Sequence, residues 1–323
     1  MMDWVAGLWP LVIVALTGWL IGVLCVLFML IGLWRENLTP SCRARQVLFL
    51  AALPWMTMVG GLVAVHGSVL LDVGAGGGHC AAHSHIHLHA CPLINNGWVA
   101  GTLELVVTLG LIAAVIGAWV RLGCREWQFH RRASGLAGLA AGGARYRVLE
   151  DDRMLAFAAG VARPVVLVSS GLLQRLSYRQ CRVVMAHEAA HIRHRDGLRT
   201  LMVEVFLVVL PAWLAGRLRE YWRQALEESA DDVAASRFGR EAVAETLIRI
   251  ARASQSPVVA GFPVAGGQVV KRVRRQLFPP EERPRRPVLA TLQGGLLAGV
   301  FCVAGSHHHA LETLASIWLA GSL

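Results

Sequence analysis

Two histidines four residues apart, with a glutamate beside the first, form the run His187-Glu188-Ala189-Ala190-His191. On an α-helix, residues i and i+4 share a face, so His187 and His191 offer two imidazole nitrogens to one metal ion. Glu188 is rotated by about 100° from His187. That makes it a poor third ligand but puts it where a metal-bound water needs a general base. Such a motif also arises by chance on solvated helix faces, so a third ligand decides its meaning. Catalytic zinc sites commonly use three protein ligands and a water. Downstream, QALEESADDVAA carries Glu227, Glu228, Asp231 and Asp232 on a second expected helix. Ala225, Ala230, Ala234 and Ala235 would let that helix pack closely. Glu227 completes a His-His-Glu set, and Asp231, four residues on, can accept the outward N–H of a ligand histidine and fix its tautomer.

The elements around these residues follow from local pattern. Ser177 with Gln180 three residues later is a capping box, so a helix is expected from there to about Arg195, ending at Gly197. Short strands are expected near Arg145–Leu149 and Val165–Ser169. RRASGLAGLAAGGA, after Arg121, reads as a linker or a juxtamembrane helix. Between the two acid- and histidine-bearing helices, LMVEVFLVVLPAWLAG is expected as a buried or membrane-surface helix kinked at Pro211.

This region sits in a very apolar chain. Its 323 residues have a mean hydropathy of +0.51, with 55% hydrophobic and 16% charged residues, values typical of a membrane protein. Apolar runs at Val5–Leu33, Val47–Leu71, Trp98–Val120 and Val288–Gly305 predict four spans, about 20 residues being enough to cross a bilayer core. The first run lacks a cleavage site and is expected to be retained. Glu104 lies inside the third run, near an interface. Of 31 Lys and Arg, three fall in Arg35–Arg45 and 28 in Arg121–Arg286. That is a positive-inside pattern. It predicts spans at 1–34, 47–71, 98–120 and 288–305, a cytoplasmic loop at 35–46 and a cytoplasmic domain at 121–287. A periplasmic loop at 72–97 and a tail at 306–323 would leave both termini outside. The net charge of +10 is then topology with some attraction to anionic lipid, and no aromatic-interleaved basic patch argues for nucleic acid.

A second constellation falls on the outer side. In GHCAAHSHIHLHAC, His83, His85, His87 and His89 alternate, so an extended strand would carry four imidazoles on one face. His79, Cys80 and Cys91 flank them, with a disulfide open to the two cysteines, and His307, His308 and His309 emerge on the same side. Nine of the 13 histidines lie on or near that side. Imidazole and thiolate suit zinc or copper, so metal sensing is the functional expectation and a solvated low-complexity loop the plain alternative.

The stretch FAAGVARPVVLVSSGLLQRLSYRQCRVVMAHEAAHIRHRDGLR, followed by Glu-x-x-Ala-Asp in EESAD, resembles the membrane gluzincins. It is most similar to the BlaR/MecR-type antirepressor metallopeptidases, with HtpX and the CAAX prenyl proteases more distant. The similarity covers roughly residues 145–240. It implies zinc on His187, His191 and Glu227, Glu188 as catalytic base, and Asp231 and Asp196 supporting the ligands. It also implies an edge strand at Pro164–Ser169 that holds an extended substrate. His194 is outside the motif and reads as a surface residue. The penicillin-binding sensor domain of β-lactam receptors has no counterpart after the last span, so β-lactam recognition is not expected.

The expected fold is therefore a mainly α membrane protein, with about four transmembrane helices and a cytoplasmic α+β zincin-like protease domain. The expected function is a zinc metalloendopeptidase of the bacterial inner membrane that cleaves a cytoplasmic protein, a small DNA-binding repressor by resemblance. A homodimer is compatible with this chain. A constitutive quality-control protease and a non-catalytic metal-binding scaffold are the rival readings.

Overall fold

The computed structural model describes residues 9–33, 38–74, 102–139, 146–159, 165–254 and 266–281. The chain divides into two compact units: residues 1–35, 49–118 and 285–323 in one, and residues 36–48 and 119–284 in the other.

In the first unit, helix α1 (Trp9–Leu33) carries no charge and helix α2 (Pro40–Gly74) continues beyond the unit at its N-terminal end. Glycines set how closely these helices meet. A side chain on Gly18 would collide with the Thr57 carbonyl, and one on Gly22 with Pro54 and the Thr57 hydroxyl. Small residues let helix backbones approach in an apolar setting, where no hydrophobic force drives association. Among the described residues, Pro40–Val63 is long and apolar enough to cross a membrane, and Val14–Leu30 is a shorter apolar stretch. Helix α3 (Thr102–Leu139) covers the third predicted span and runs on through the Gly/Ala-rich stretch, which is therefore helix up to Leu139 rather than linker. The predicted fourth span, the His-rich loop and the tail lie outside the described residues.

The second unit holds a three-stranded sheet and a set of helices. Strands β1 (Tyr146–Leu149), β2 (Ala156–Ala159) and β3 (Val165–Ser169) lie in the order β1-β3-β2. Strand β1 runs parallel to β3, and β2 runs antiparallel to it with Phe157 opposite Leu167. This corrects the expectation for Pro164–Ser169: Val165–Ser169 is the central strand, with both backbone edges occupied, and the edge position belongs to β2. The short Ala-rich segment of β2 shows no alternation, so periodicity did not reveal it.

Ser169 ends β3 and starts helix α4 (Ser170–Arg175), its hydroxyl accepting from the Leu172 N–H. Helix α5 (Tyr178–Arg193) begins with the expected capping box, Ser177 and Gln180 satisfying each other's backbone N–H groups. It ends earlier than the sequence suggested. Arg195, not Gly197, takes the left-handed conformation (φ 53°), and Gly197 lies inside helix α6 (Asp196–Leu207). Pro211 is a second correction, because it caps the start of helix α7 (Ala212–Phe238) instead of kinking one long helix. Val203, Leu207, Leu210, Leu214 and Leu218 are buried in the protein. Glu204 is buried too, held by both nitrogens of Arg219 at 2.6 and 2.8 Å.

Helices α5 and α7 pack as the alanines predicted: Ala225, Ala230 and Ala234 are fully buried. Val183 and Ala186 of α5 meet Ala234 of α7 and Ala242 and Val243 of helix α8 (Arg240–Ser254). On the opposite side of α5, Val184 joins Val166, Val168, Leu172 and Leu176 beneath the sheet. Helix α9 (Gly266–Leu277) packs on α8 and α7. The helix that carries the histidines is thus wedged between a sheet and a helix layer, which fixes its rotation.

Candidate metal centre

Helix α5 supplies two imidazoles to one point. His187 and His191 are one turn apart, with rings edge to face and Nε2 atoms 3.2 Å apart. Glu227, on α7, closes the triangle: its carboxylate oxygens lie 3.5 Å from His187 Nε2 and 3.8 Å from His191 Nε2. Among the described residues these three form a group able to hold a metal ion, with ligand atoms all within 4.8 Å of one another. Nitrogen and oxygen ligands about 2.0–2.1 Å from a tetrahedral zinc ion would be about 3.3 Å apart. The site fits that ion in both donor set and spacing. His194 caps the end of α5 and is not in this group.

The outward nitrogens of both histidines meet carboxylates. His187 Nδ1 is 3.0 Å from Asp231, and His191 Nδ1 is 2.9 Å from Asp196. In the neutral rings this makes Nδ1 the protonated nitrogen and turns each Nε2 lone pair to the centre, the arrangement that orients a metal ligand. The Arg195 turn makes the second contact geometrically available. By reversing the chain it brings Asp196, at the first turn of α6, back to His191, where Arg199 also holds it at 2.9 Å.

The electrostatics are those of a site built for a cation. Burial pushes the His187 imidazole down, but Asp231 and Glu227 beside it more than offset this and hold its pKa up, at about 10. Without a metal, a proton takes the cation's place. Burial pushes the Glu227 carboxyl up, yet the His187 hydrogen bond and the Arg272 charge win and hold it well below the usual carboxylate range. Its side chain is 41% exposed because it opens onto the cleft. Glu188 is buried, and burial raises its pKa, against the charges of His187 and His191 and a hydrogen bond from the Ala158 N–H of β2. A buried carboxyl group beside a metal site is placed to take and return a proton.

A cleft of about 1090 Å³ opens on the three ligands, with Glu188, Ala156 and Ala158 along one side and Leu247 and Ile250 among its apolar walls. Its size suits a peptide side chain beside the metal. The Ala158 N–H that reaches Glu188 points away from β3, so the outer edge of β2 borders this cleft.

Sequence reasoning missed Arg272, on α9. It donates to both Asp231 oxygens at 2.7 and 2.8 Å and lies 2.7 Å from Glu227, offsetting the charge of the two carboxylates. It missed Arg275 as well, which pairs with Asp232 through two bonds of 2.8 Å. One signal was present: cations three apart in KRVRR matching acids at 227, 228, 231 and 232. The outer set (His79, Cys80, His83, His85, His87, His89, Cys91 and His307–His309) lies outside the described residues. Among the described residues, Cys25, Cys124 and Cys181 are free thiols.

A family match falls on this half of the chain. Residues 128–275 match peptidase family M48. That segment contains His187, His191, Glu227 and Arg272, and the match supports a metallopeptidase. A protease HtpX homolog of Desulfotalea psychrophila is 28% identical over 157 residues, covering 47% of this chain and 55% of that protein. One of Bacillus velezensis is 26% identical over 162 residues, covering 38% and 52%. One of Ralstonia nicotianae is 35% identical over 94 residues, covering 28% and 30%. The chain spans about half the length of the first of these relatives. No solved structure matches.

Proposed function

We propose that this chain is an integral-membrane zinc metalloendopeptidase of the bacterial inner membrane with its active site on the cytoplasmic side. The observation that carries this reading is the convergence of His187, His191 and Glu227 beside a buried, upward-tuned Glu188, within a segment that matches peptidase family M48. Zinc held by the three residues would supply a Lewis acid for the scissile carbonyl and an acidified water. Glu188 takes the proton from the attacking water and returns it to the leaving amine. Asp231 and Asp196 keep the two imidazoles in the ligating tautomer. The outer edge of β2, not Val165–Ser169, lines up an extended substrate by main-chain hydrogen bonds.

The finer reading is regulated proteolysis. The BlaR/MecR-type resemblance points to a small DNA-binding repressor as the cytoplasmic substrate, and the histidine-rich loop between the second and third spans to a zinc or copper signal from outside. The positive-inside charge pattern and the apolar Pro40–Val63 helix support the topology. The first test is bound zinc by elemental analysis of the full chain and of Glu188→Ala and Glu227→Ala, with cleavage of a casein-type protein. Glu188→Ala retaining zinc but losing cleavage, with Glu227→Ala losing both, supports the reading. A wild-type protein without zinc sinks it. Replacing His79–His89 by serine separates regulated from constitutive proteolysis, because only the regulated form loses its response to added metal.

A further inference from the structure

The acidic run of α7 faces two ways. Glu227 and Asp231 point to the metal centre and Arg272, while Glu228 and Asp232 point to a second set of cations. Glu228 is 3% exposed, and its carboxylate is fully engaged. Arg43 Nη1 donates to Oε2 at 2.9 Å, Gln224 Nε2 donates to Oε1 at 2.6 Å, and Arg275 Nε lies 3.5 Å from Oε2. Arg43 comes from the first turn of α2, 185 residues away in sequence, and its second nitrogen holds the Leu38 carbonyl at 3.2 Å. The same helix continues through Pro40–Val63, the described stretch able to cross a membrane.

We propose that Arg43 is a positioning residue for the metal centre: it pins α7, the helix of Glu227 and Asp231, to the start of membrane helix α2, so that movement of α2 changes how Glu227 is presented to the metal. The chemistry favours this over an incidental surface pair. The guanidinium–carboxylate contact is largely out of solvent, with side chains 19% and 4% exposed, and breaking it leaves Glu228 only Gln224 and the longer 3.5 Å approach of Arg275 Nε. It therefore transmits displacement instead of yielding to it. Geometry makes the transmission sensitive. A side chain on a helix projects about 5–6 Å from the axis, so a 10° rotation of α7 moves the Glu227 carboxylate by about 1 Å. Metal–ligand distances tolerate about 0.2 Å. Glu228 is the immediate neighbour of the ligand, so little backbone lies between the pin and the site.

This inference rests on the zinc-site reading and adds the regulation of that site. Its test is zinc affinity by chelator competition on the full-length protein in detergent, with the visible spectrum of the cobalt(II) form as a second readout of the ligand set. Arg43→Gln is expected to weaken zinc binding about tenfold or more and to alter the cobalt bands while the far-ultraviolet circular dichroism is retained, as supporting partners of ligands typically do. Glu228→Gln is expected to match it, and the double variant to be no worse than either single one, because both remove one contact. Arg43→Lys keeps the charge but not both hydrogen bonds, and is expected to lose a few-fold; it serves as the test if Arg43→Gln does not fold. Wild-type affinity and spectrum in folded Arg43→Gln, or in Arg43→Lys when it alone folds, overturns the inference while leaving the zinc site standing. Losses that multiply in the double variant overturn it as well. If the wild-type protein takes up no zinc at these ligands, both readings fall.

Discussion

Replacing Asp231 by asparagine removes one negative charge at almost constant volume, at a position 1% exposed. The aspartate accepts three hydrogen bonds: from His187 at 3.0 Å and from two nitrogens of Arg272 at 2.8 and 2.7 Å. An asparagine oxygen at the Oδ1 position can still accept from His187 and from Arg272 Nη2, but its amide N–H group then faces Arg272 Nε, donor against donor. Glu227 is then the one charged partner left to Arg272 at this site. Removing one partner of a buried ion pair costs about 3–5 kcal/mol, and loss of a ligand's supporting carboxylate weakens metal binding about 10–100-fold. Two assays separate these effects: chemical denaturation of the metal-free protein, and chelator competition for zinc. A second variant sharpens the test. Adding Arg272→Met to Asp231→Asn removes the stranded cation, so about half or more of the lost stability should return. Zinc affinity should not return, because the carboxylate charge that raises the basicity of His187 is still missing. An Asp231→Asn protein of wild-type stability and affinity would refute the assignment of Asp231, and parallel recovery of both properties in the double variant would refute the separation of its two roles.

Four further outcomes are expected. Glu188→Gln should bind zinc as the wild type does while cleavage falls by about 10²–10⁴-fold, the contribution of a positioned base; loss of zinc would make Glu188 structural instead. The His187 pKa is raised from 6.5 to about 10, so the metal-free fold holds an extra proton whose stabilisation is complete below pH 6.5 and lost as pH climbs toward 10. Unfolding temperatures measured in chelator should fall across that window, and a flat profile would contradict the shift. Because zinc must displace that proton, binding at pH 8 should release about one proton, and affinity should strengthen about tenfold per pH unit in the neutral range, as calorimetry in two buffers would show. Gly171→Ala should destabilise the second unit by about 1–3 kcal/mol, since a methyl group there would run into the Asp152 carbonyl at the start of α4; unchanged stability would mean that this loop gives way.

What could be read from the chain tracks how local each determinant is. The i, i+4 histidines, the Ser177–Gln180 cap and the alanine face of α7 are set within a few residues, and all stand where the pattern put them. Strand β2 escaped because Ala156–Ala159 has no alternation and gains its strand conformation from pairing with β3. The edge position that the resemblance implied for Pro164–Ser169 failed too, because β1 and β2 pair on both sides of Val165–Ser169. A strand's hydrophobicity reports that it is buried, and only the pairing of its neighbours reports its place in the sheet. Gly197 misled in a different way: the glycine was taken as the helix terminator, while Arg195 adopted the left-handed turn that Asp196 needs to reach His191. A non-glycine residue held there costs about 1–2 kcal/mol, which the Asp196 contacts to His191 and Arg199 can offset.

The residues hardest to foresee, Arg43, Arg272 and Arg275, share one property. Each is an ordinary member of a basic stretch, and its meaning comes only from which acid it meets across the fold. The charge pattern that announces membrane topology also conceals them, because 28 of the 31 cations lie in one block and three in the other. Acids are scarcer in this chain, 21 against 31, and four of them crowd into residues 227–232 of a single helix. A dense acidic cluster in a basic domain cannot stay buried unless cations come to it, since an unpaired buried carboxylate is prohibitively expensive. EESADD therefore predicts its own counter-ions: a metal for Glu227, Arg272 for Glu227 and Asp231, and Arg43 with Arg275 for Glu228 and Asp232. The acidic run thus carries both a ligand of the candidate metal centre and the carboxylate to which Arg43, at the start of α2, is tied.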